Sequence, residues 1–452
     1  MYSIGLDIGT TSVCGILVNL DNGCVEISRT LPNDTFIKTE KSYEKLQDPK
    51  KLIEILKGVL GELLAQNKPI ASIGITGQMH GIVYLNKDGS PVSELKIWQD
   101  GRGDLPYKDG MTYAQYMTNK TGYQLATGYG AVTYFYDTVN GLVPNDAVGF
   151  CTIHDLAAMT FCGKTAPLLH PSDAASLGLF DIKAGTYDKD AILSLGLDFN
   201  FFPAVCNDYG LMGHYNGIPV SVAVGDNQAS FMGSVKNPEE SLLINVGTGS
   251  QISCLANAIP TDTALDCRPL INGSYILAGS SLCGGRAYSI LEHFLRNVVK
   301  DITGTEIKSA YPAMDRLMEN YTPENEPLNV TTLFSGTRID PQKRGSIENI
   351  SVNNLTTAAL CDGFMQGMVN ELYEMYEKLK PYAFGSPKYM IGSGNGIRNN
   401  APLRKKFEKA FGIKLEIPAH KEEAAFGAAL YSLVAAGVFN SIGDAAKIIR
   451  YE

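Results

Sequence analysis

The chain has 452 residues, 44% hydrophobic and 19% charged. That balance excludes a disordered or fibrous protein and, at roughly 150 residues per domain, implies about two to four domains. A formal charge of −9, from 38 basic and 47 acidic residues, speaks against a nucleic-acid or anionic-membrane surface, though not against a small anion held by backbone N–H groups.

No apolar run reaches the 18 residues of a membrane span. Residues 1–7 lack a basic stretch ahead of an apolar core, the first basic residue being Arg29. The nine cysteines include no Cys-x-x-Cys pair, and the six histidines show no ligand spacing. A cytoplasmic protein with reduced thiols is expected.

In chain order, the pattern predicts strands at Tyr2–Ile8, Ser12–Leu20 and Cys24–Ser28, with turns at Gly9-Thr10-Thr11 and Asp21-Asn22-Gly23. Leu52, Ile55, Leu56, Val59, Leu60 and Leu63 recur at helical spacing and predict a helix over 49–66. Strands follow at Ile70–Thr76 and Gly81–Asn86. Residues 110–215 mix short helices and turns. Pro219–Val224 reads as a buried strand and Asn227–Met232 as the start of a helix. Ser241–Val246 and Gln251–Ala256 are strands around Gly247-Thr248-Gly249-Ser250. Leu355–Leu379 is a long helix, and Tyr389–Ile391 a strand before Gly392-Ser393-Gly394-Asn395-Gly396. Arg398–Phe411 is a helix, Lys414–Ile417 a strand, and Glu422–Ala436 a helix rich in Ala and Gly. The domain break is expected at 233–240.

Two of these strand–turn–strand units share a layout. Gly9 and Gly247 lie 238 residues apart, about half the chain, a spacing expected of a duplicated domain. A glycine hairpin lets phosphate approach successive backbone N–H groups, and Thr10, Thr11, Thr248 and Ser250 add hydroxyls. Neither is a Walker A loop, and an ordinary turn has the same composition. Asp7 stands just before the first hairpin, where a carboxylate and a phosphate need a cation such as Mg²⁺ between them, unless Asp7 only bonds within its own turn.

Asp226, at a strand's carboxyl end and a helix start, suits a general base; judged alone, the helix N-cap is the favoured reading of an Asp there. Gly392–Gly396 could pack a base or ribose against backbone, or simply join strand to helix. Gln78, His80, Trp98, Asp100 and Arg102 offer the donors and acceptors that suit a polyhydroxylated ligand, although a lone Trp is often a core residue.

Taken together, Asp7-Ile8-Gly9-Thr10-Thr11-Ser12, Gly77-Gln78-Met79-His80-Gly81, Trp98-Gln99-Asp100-Gly101-Arg102, Gly225-Asp226-Asn227-Gln228, Asn245-Val246-Gly247-Thr248-Gly249-Ser250 and Gly392-Ser393-Gly394-Asn395 resemble, in order, the motifs of the FGGY carbohydrate kinases, within the actin-like ATPase fold. Ala126-Thr127-Gly128-Tyr129-Gly130, Thr152-Ile153-His154-Asp155, Asp173-Ala174-Ala175-Ser176 and Ser281-Leu282-Cys283-Gly284-Gly285 are most similar to the sedoheptulokinases of that family. A Lys-x-x-Trp pattern that xylulokinases tend to keep is replaced by Val132-Thr133-Tyr134-Phe135-Tyr136, whereas Asn227 resembles the xylulokinase form.

The resemblance implies an α/β chain of two ribonuclease-H-like domains with a cleft between them: a sugar-binding domain over 1–235 and an ATP-binding domain over 236–452. It implies Asp226 as catalytic base and Asp7 as a Mg²⁺ ligand. Thr10, Thr11, Gly247, Thr248, Gly249 and Ser250 would flank the phosphates, with Gly284 and Gly285 near them. Gly392, Gly394 and Asn395 would meet the nucleoside. Gln78, Met79, His80, Trp98, Asp100, Arg102 and Asn227 would face the sugar beside Asp226. The activity implied is ATP-dependent phosphorylation of a ketose at its terminal hydroxyl, sedoheptulose to its 7-phosphate, by a monomer or homodimer with no nucleic-acid or membrane partner. The alternatives are a xylulokinase or other pentulose kinase, and an actin-like ATPase without sugar kinase activity.

Overall fold

Strand β1 (Tyr2–Ile8) turns at Gly9–Thr11 into β2 (Ser12–Asn19), which turns at Asp21–Gly23 into β3 (Val25–Pro32). The computed structural model describes the chain apart from residues 208, 261–264, 272, 320, 323–325, 338, 339 and 341. The three strands form the expected antiparallel meander, with Ile8 opposite Val13 at the hairpin, and β3 runs past Ser28 to Pro32.

Helix α1 (Pro49–Leu64) is started by Asp48, whose carboxylate accepts from Lys50 N and Lys51 N, and by Pro49 in its first turn. It buries Leu52, Ile53, Leu56, Val59, Leu60 and Leu63 along one face. It leads to β4 (Ile70–Gly77), which pairs parallel with β1. Residues 113–205 supply short helices: α2 (Gly130–Val139), α3 (Ile153–Phe161) and α4 (Pro171–Leu177).

The chain then returns to the sheet as β5 (Leu211–Tyr215), β6 (Ile218–Ser221) and β7 (Val224–Gly225). The single strand expected at 219–224 is therefore two. Val222 N donates to Gly210 O at 2.9 Å and leaves the ladder, and pairing to β4 resumes at Val224. The strand order is β5-β6-β4-β1-β2-β3, with β7 also on β4. Helix α5 (Asp226–Ser234) follows β7 directly.

The second sheet repeats this plan. β8 (Ser241–Val246), β9 (Ser250–Ala256) and β10 (Tyr275–Ser281) are antiparallel, and β11 (Tyr389–Ser393) and β12 (Leu415–Glu416) join in parallel. The order β10-β9-β8-β11-β12 matches β3-β2-β1-β4-β6, the duplicated ribonuclease-H-like plan. After β10 comes α6 (Gly285–Thr303), and α7 (Thr357–Leu379) covers the sheet with Phe364, Met365, Met368, Val369 and Leu372. The helix expected over 398–411 starts later: Arg398 ends a separate short helix, α8 (Asn395–Arg398), and α9 (Ala401–Phe411) follows it. Asn400 Oδ1 accepts from Leu403 N at 2.9 Å, capping α9 and ending the helix before it.

The chain divides into two units: Met1–Lys236 with Arg268–Ser274 and Glu422–Arg450, and Asn237–Cys267 with Tyr275–Lys421 and Tyr451–Glu452. The first crossing falls beside the expected division at 235/236. The second does not: residues 422–450 belong to the first unit. Helix α10 (Glu423–Ala435) is buried on all sides from Ala425 to Val434, as a run of mostly apolar and small residues dictates. It lies so close to β1 and β4 that a methyl at Gly5 would sit 1.8 Å from Ala425 O, and one at Gly74 would sit 1.9 Å from Ala428 O. Among the described residues, no helix is long and apolar enough to cross a membrane.

Candidate active site

In the first unit β1, β4 and β7 are parallel, and Ile8, Gly77 and Gly225 share one register. Whatever follows these strands therefore gathers at one carboxyl edge, the place where open α/β sheets bind ligands. The edge receives Asp7 and the Gly9–Thr11 turn from β1, Gln78–His80 from β4, and Asp226–Asn227 from β7.

Asp226 is half-buried and is the first residue of α5; the N-cap position belongs to Gly225. The N-cap reading of Asp226 is thus corrected. Its carboxylate accepts from Asn227 Nδ2 at 3.1 Å. Asp7 is half-buried as well. Burial, then the charges of Asp226 and Glu422, push its carboxyl up to about 7, with His154 pulling the other way. A carboxylate crowded by two others suits a hard divalent cation that takes carboxylate, phosphate and water oxygens.

Beneath this edge α3 and α4 bring His154, Asp155 and Asp173 within 4.8 Å of one another, all fully buried. His154 Nε2 lies 3.0 Å from Asp173 Oδ1. Burial lowers the imidazole's pKa, but Asp173 and Asp155 outweigh it and lift it to about 9. Sequence spacing could not show this set, since His154 and Asp173 stand on different helices.

Gln78, Thr10 and Trp98 form one hydrogen-bonded group. Trp98 Nε1 donates to Thr10 Oγ1 at 3.0 Å, Thr10 Oγ1 lies 3.4 Å from Gln78 Oε1, and Gln78 Nε2 donates to Gln47 Oε1 at 2.8 Å. Trp98 is 46% exposed, which corrects the core reading of the lone tryptophan. Thr10 is tied to this group, and Thr11 is exposed beside it. Met79 is buried against Gly225.

His80 takes a left-handed backbone, φ 75°, and stacks on Tyr129 with ring centroids 4.5 Å apart. Asp100 and Arg102 are almost wholly buried. Asp100 accepts from Lys45 N and from Arg102 Nε at 2.6 Å, and Arg102 Nη1 reaches Asp137 at 2.6 Å. Burial opposes the guanidinium's charge, but Asp100 and Asp137 outweigh it and hold its pKa above the ordinary value. Thr127 Oγ1 donates to Asp100 O at 3.0 Å. The 126–130 segment thus ties Asp100 to the residue that stacks on His80.

The second unit holds a cavity of about 960 Å³. Asn245 to Thr248, Gly285 and Arg286, and Gly394 to Gly396 line it, and Tyr288, Tyr311, Asp315, Asn399 and Asn400 are also in its wall. A methyl at Gly285 would sit 2.5 Å from Gly247 O, and one at Gly394, whose φ is +83°, would sit 2.5 Å from Val246 O. Three loops meet backbone to backbone here because these residues have no side chain.

Of the residues expected at a nucleotide, Gly247, Thr248, Gly285, Gly394 and Asn395 share this wall. Gly249, Ser250, Gly284 and Gly392 do not line it. Gly247 N donates to Gly249 O, while Gly285 N and Arg286 N donate to Gly247 O and Thr248 O; those N–H groups are committed within the loops. Sequence reasoning missed Arg286, Asn399, Asn400, Tyr311 and Asp315. Extending a helix from Gly284-Gly285 would have found Arg286, and the Asn-Ala-Pro start of α9 would have found Asn400. Tyr311 and Asp315 carried no local signal.

Residues 2–233, just over half of the chain, match the model of the FGGY family of carbohydrate kinases, N-terminal domain. The chain belongs to that family. A sedoheptulokinase of Mus musculus is 26% identical over 474 residues, which cover 95% of this chain and 97% of that protein. A glycerol kinase of Aquifex aeolicus (strain VF5) is 26% identical over 469 residues, 97% of this chain and 90% of the other. Among solved structures, a ligand-bound xylulose kinase from Lactobacillus acidophilus superposes with a TM-score of 0.81 at 18% identity, covering 100% of this chain and 92% of that one, a likeness of fold. This FGGY kinase is an ATP-dependent sugar kinase with the two-domain actin-like ATPase fold.

Proposed function

We propose that the kinase transfers the γ-phosphoryl group of ATP to the terminal hydroxyl of sedoheptulose, giving sedoheptulose 7-phosphate. The observation that carries the reading is Asp226: a half-buried carboxylate, not used as a helix cap, at the register-matched end of three parallel strands. Asp226 orients the acceptor hydroxyl and takes its proton as the O–P bond forms. Asn227 holds the carboxylate by its Nδ2 donor. His80, Trp98 and Asn227 present polar and flat surfaces to the sugar. Gln78 stands one layer back and holds Thr10, to which Trp98 donates, while Asp100 and Arg102 are buried in their own ion-pair network.

The nucleotide occupies the second unit's cavity, whose volume of about 960 Å³ is at the upper end of the range for small-molecule sites. Asp7, crowded by Asp226 and Glu422, would hold Mg²⁺, which when bound supplies charge neutralisation for the transferred phosphoryl group.

Sedoheptulose is favoured over other ketoses by the Ala126–Gly130 segment, which seats His80 and Asp100, and by the full-length likeness to sedoheptulokinases. Xylulose is the second reading, on the strength of Asn227.

The test is kcat/KM for sedoheptulose, xylulose, ribulose and glycerol, each with Mg-ATP. Sedoheptulose is expected to lead. A pentulose leading by about tenfold, a difference of about 1.4 kcal/mol, would overturn the substrate. ADP release indifferent to added sugar would overturn the kinase reading in favour of a plain ATPase.

A further inference from the structure

We propose that the seven-residue helix α4 is a positioning clamp that fixes Asp226 and His80 relative to each other; the inference rests on the function proposed above. Two serines one helical turn apart on α4 face the carboxyl edge. Ser172 Oγ accepts the N–H of Gly225, the residue directly before Asp226, at 2.9 Å. Its own proton has a matching acceptor. His170 Nδ1 accepts from Ser172 N at 3.1 Å, so that nitrogen is unprotonated, and Ser172 Oγ lies 2.8 Å from it. The directed chain is Gly225 N–H to Ser172 O–H to His170 Nδ1. The three groups are fully buried, and each bond along the chain has one donor and one acceptor; His170 Nε2, at its far end, has no hydrogen-bond partner among the described residues.

Ser176 performs the same service for His80. Its hydroxyl donates to Asp173 O at 2.8 Å and so accepts the His80 N–H, at 3.3 Å. Its carbonyl lies 2.8 Å from His80 Nδ1. A carbonyl only accepts, so Nδ1 carries the proton and Nε2 of the neutral ring is an acceptor, the form that receives a sugar hydroxyl. A histidine at φ 75° also needs its surroundings to hold it, and Ser176 supplies two of the restraints. Between the serines, Asp173 pairs with His154, whose Cβ packs against Gly77 at the end of β4. One short helix is therefore pinned to β4, to the residue before Asp226 and to His80. Phosphoryl transfer needs the acceptor hydroxyl oriented within a fraction of an ångström, and this helix sets the distance between the group that holds the sugar and the group that takes its proton.

The experiment uses the full chain with the best sugar of the panel and measures kcat, sugar KM and ATP KM for Ser172→Ala, Ser172→Thr, Ser176→Ala and Asp226→Asn. Ser172→Ala is expected to lower kcat by about tenfold or more with ATP KM unchanged, and Ser172→Thr to restore it to within about threefold. On the Asp226→Asn background Ser172→Ala is expected to cost less than about twofold further, because it acts through Asp226. Ser176→Ala is expected to raise sugar KM by about fivefold or more, with a smaller change in kcat.

Serine variants whose kinetics all stay within about twofold of the parent, beside an inactive Asp226→Asn, would overturn the clamp alone. Equal losses from Ser172→Ala with and without Asp226 would do the same. Near-parental turnover of Asp226→Asn would overturn the base and the clamp together. If Ser172→Ala loses its cooperative thermal transition, Ser176→Ala decides: a sugar KM within about twofold of the parent overturns the proposal.

Discussion

The two halves of this kinase share a strand order and differ in what they place at the end of it. In the first unit the hairpin edge carries titratable side chains: Asp7, Asp226 and Glu422, with the His154–Asp173 pair below. In the second the equivalent edge is mostly backbone, with Gly285 close against Gly247, Gly394 close against Val246, and amides such as Asn245 and Asn395 around a cavity whose charged lining is Arg286 and Asp315. The register of parallel strands decides where a ligand can sit, and the residues after the strands decide which chemistry is done there. Carboxylates suit the acceptor side, where a proton must leave. Close-packed glycines suit a nucleotide, which needs room and main-chain contact more than acid–base groups.

The comparison breaks most visibly at Asp226. Asp226→Asn keeps the shape and the Asn227 contact but cannot take a proton. Its kcat is expected to fall by about 10²–10⁴-fold with sugar KM little changed, checked by steady-state assay. Loss confined to KM would mean that the edge binds sugar without supplying the base.

Much of this contrast is legible in the sequence. Asp21-Asn22-Gly23 and the alternating apolar strands around it announced the first meander, and the Gly9/Gly247 spacing announced the second sheet as its copy. What failed was non-local. Helix α10 reads as a mostly apolar segment with no sign of which unit owns it; the answer lies in Gly5 and Gly74, hundreds of residues away, whose missing side chains admit its backbone. Asp100 and Arg102 looked like sugar ligands because the sequence shows charge and not partners. Asp137, which completes their network, sits on α2 and carries no motif of its own. His154 and Asp173 were visible only as parts of separate motifs.

Arg102 sharpens the distinction between a group that touches ligand and one that holds the wall. Lys96, 3.4 Å from Asp137, would be left to balance both carboxylates alone if the guanidinium were removed. Arg102→Met is expected to destabilise the protein by about 3–5 kcal/mol, because it strands Asp100 and Asp137 in a buried setting. Urea unfolding measures it. A sugar-contact role predicts the reverse pattern, a raised sugar KM with stability nearly unchanged.

The smallest effect expected is at Gly394, and it tests whether the second unit's chemistry really is made of backbone. A methyl there meets Val246 O at 2.5 Å and Val246 C at 2.8 Å, and φ +83° disfavours any side chain. The strain and the clash together are worth about 1–3 kcal/mol, part of which the loop avoids by moving off Val246. Because Val246, Gly394 and Gly396 all line the cavity, that movement changes the nucleotide's wall and leaves the acceptor edge alone. Gly394→Ala is therefore expected to weaken ATP binding by about tenfold, read by calorimetric titration, with sugar binding measured in the same way unchanged. Gly9 is the comparison in the first hairpin, where the close contact lies within the turn itself. A methyl there meets Ser12 O at 2.9 Å with no left-handed φ to oppose it, so Gly9→Ala is expected to leave nucleotide affinity nearer the parent. Equal losses at the two positions would show that both halves use their glycines alike, and the division of labour between side chains and backbone would have to be abandoned.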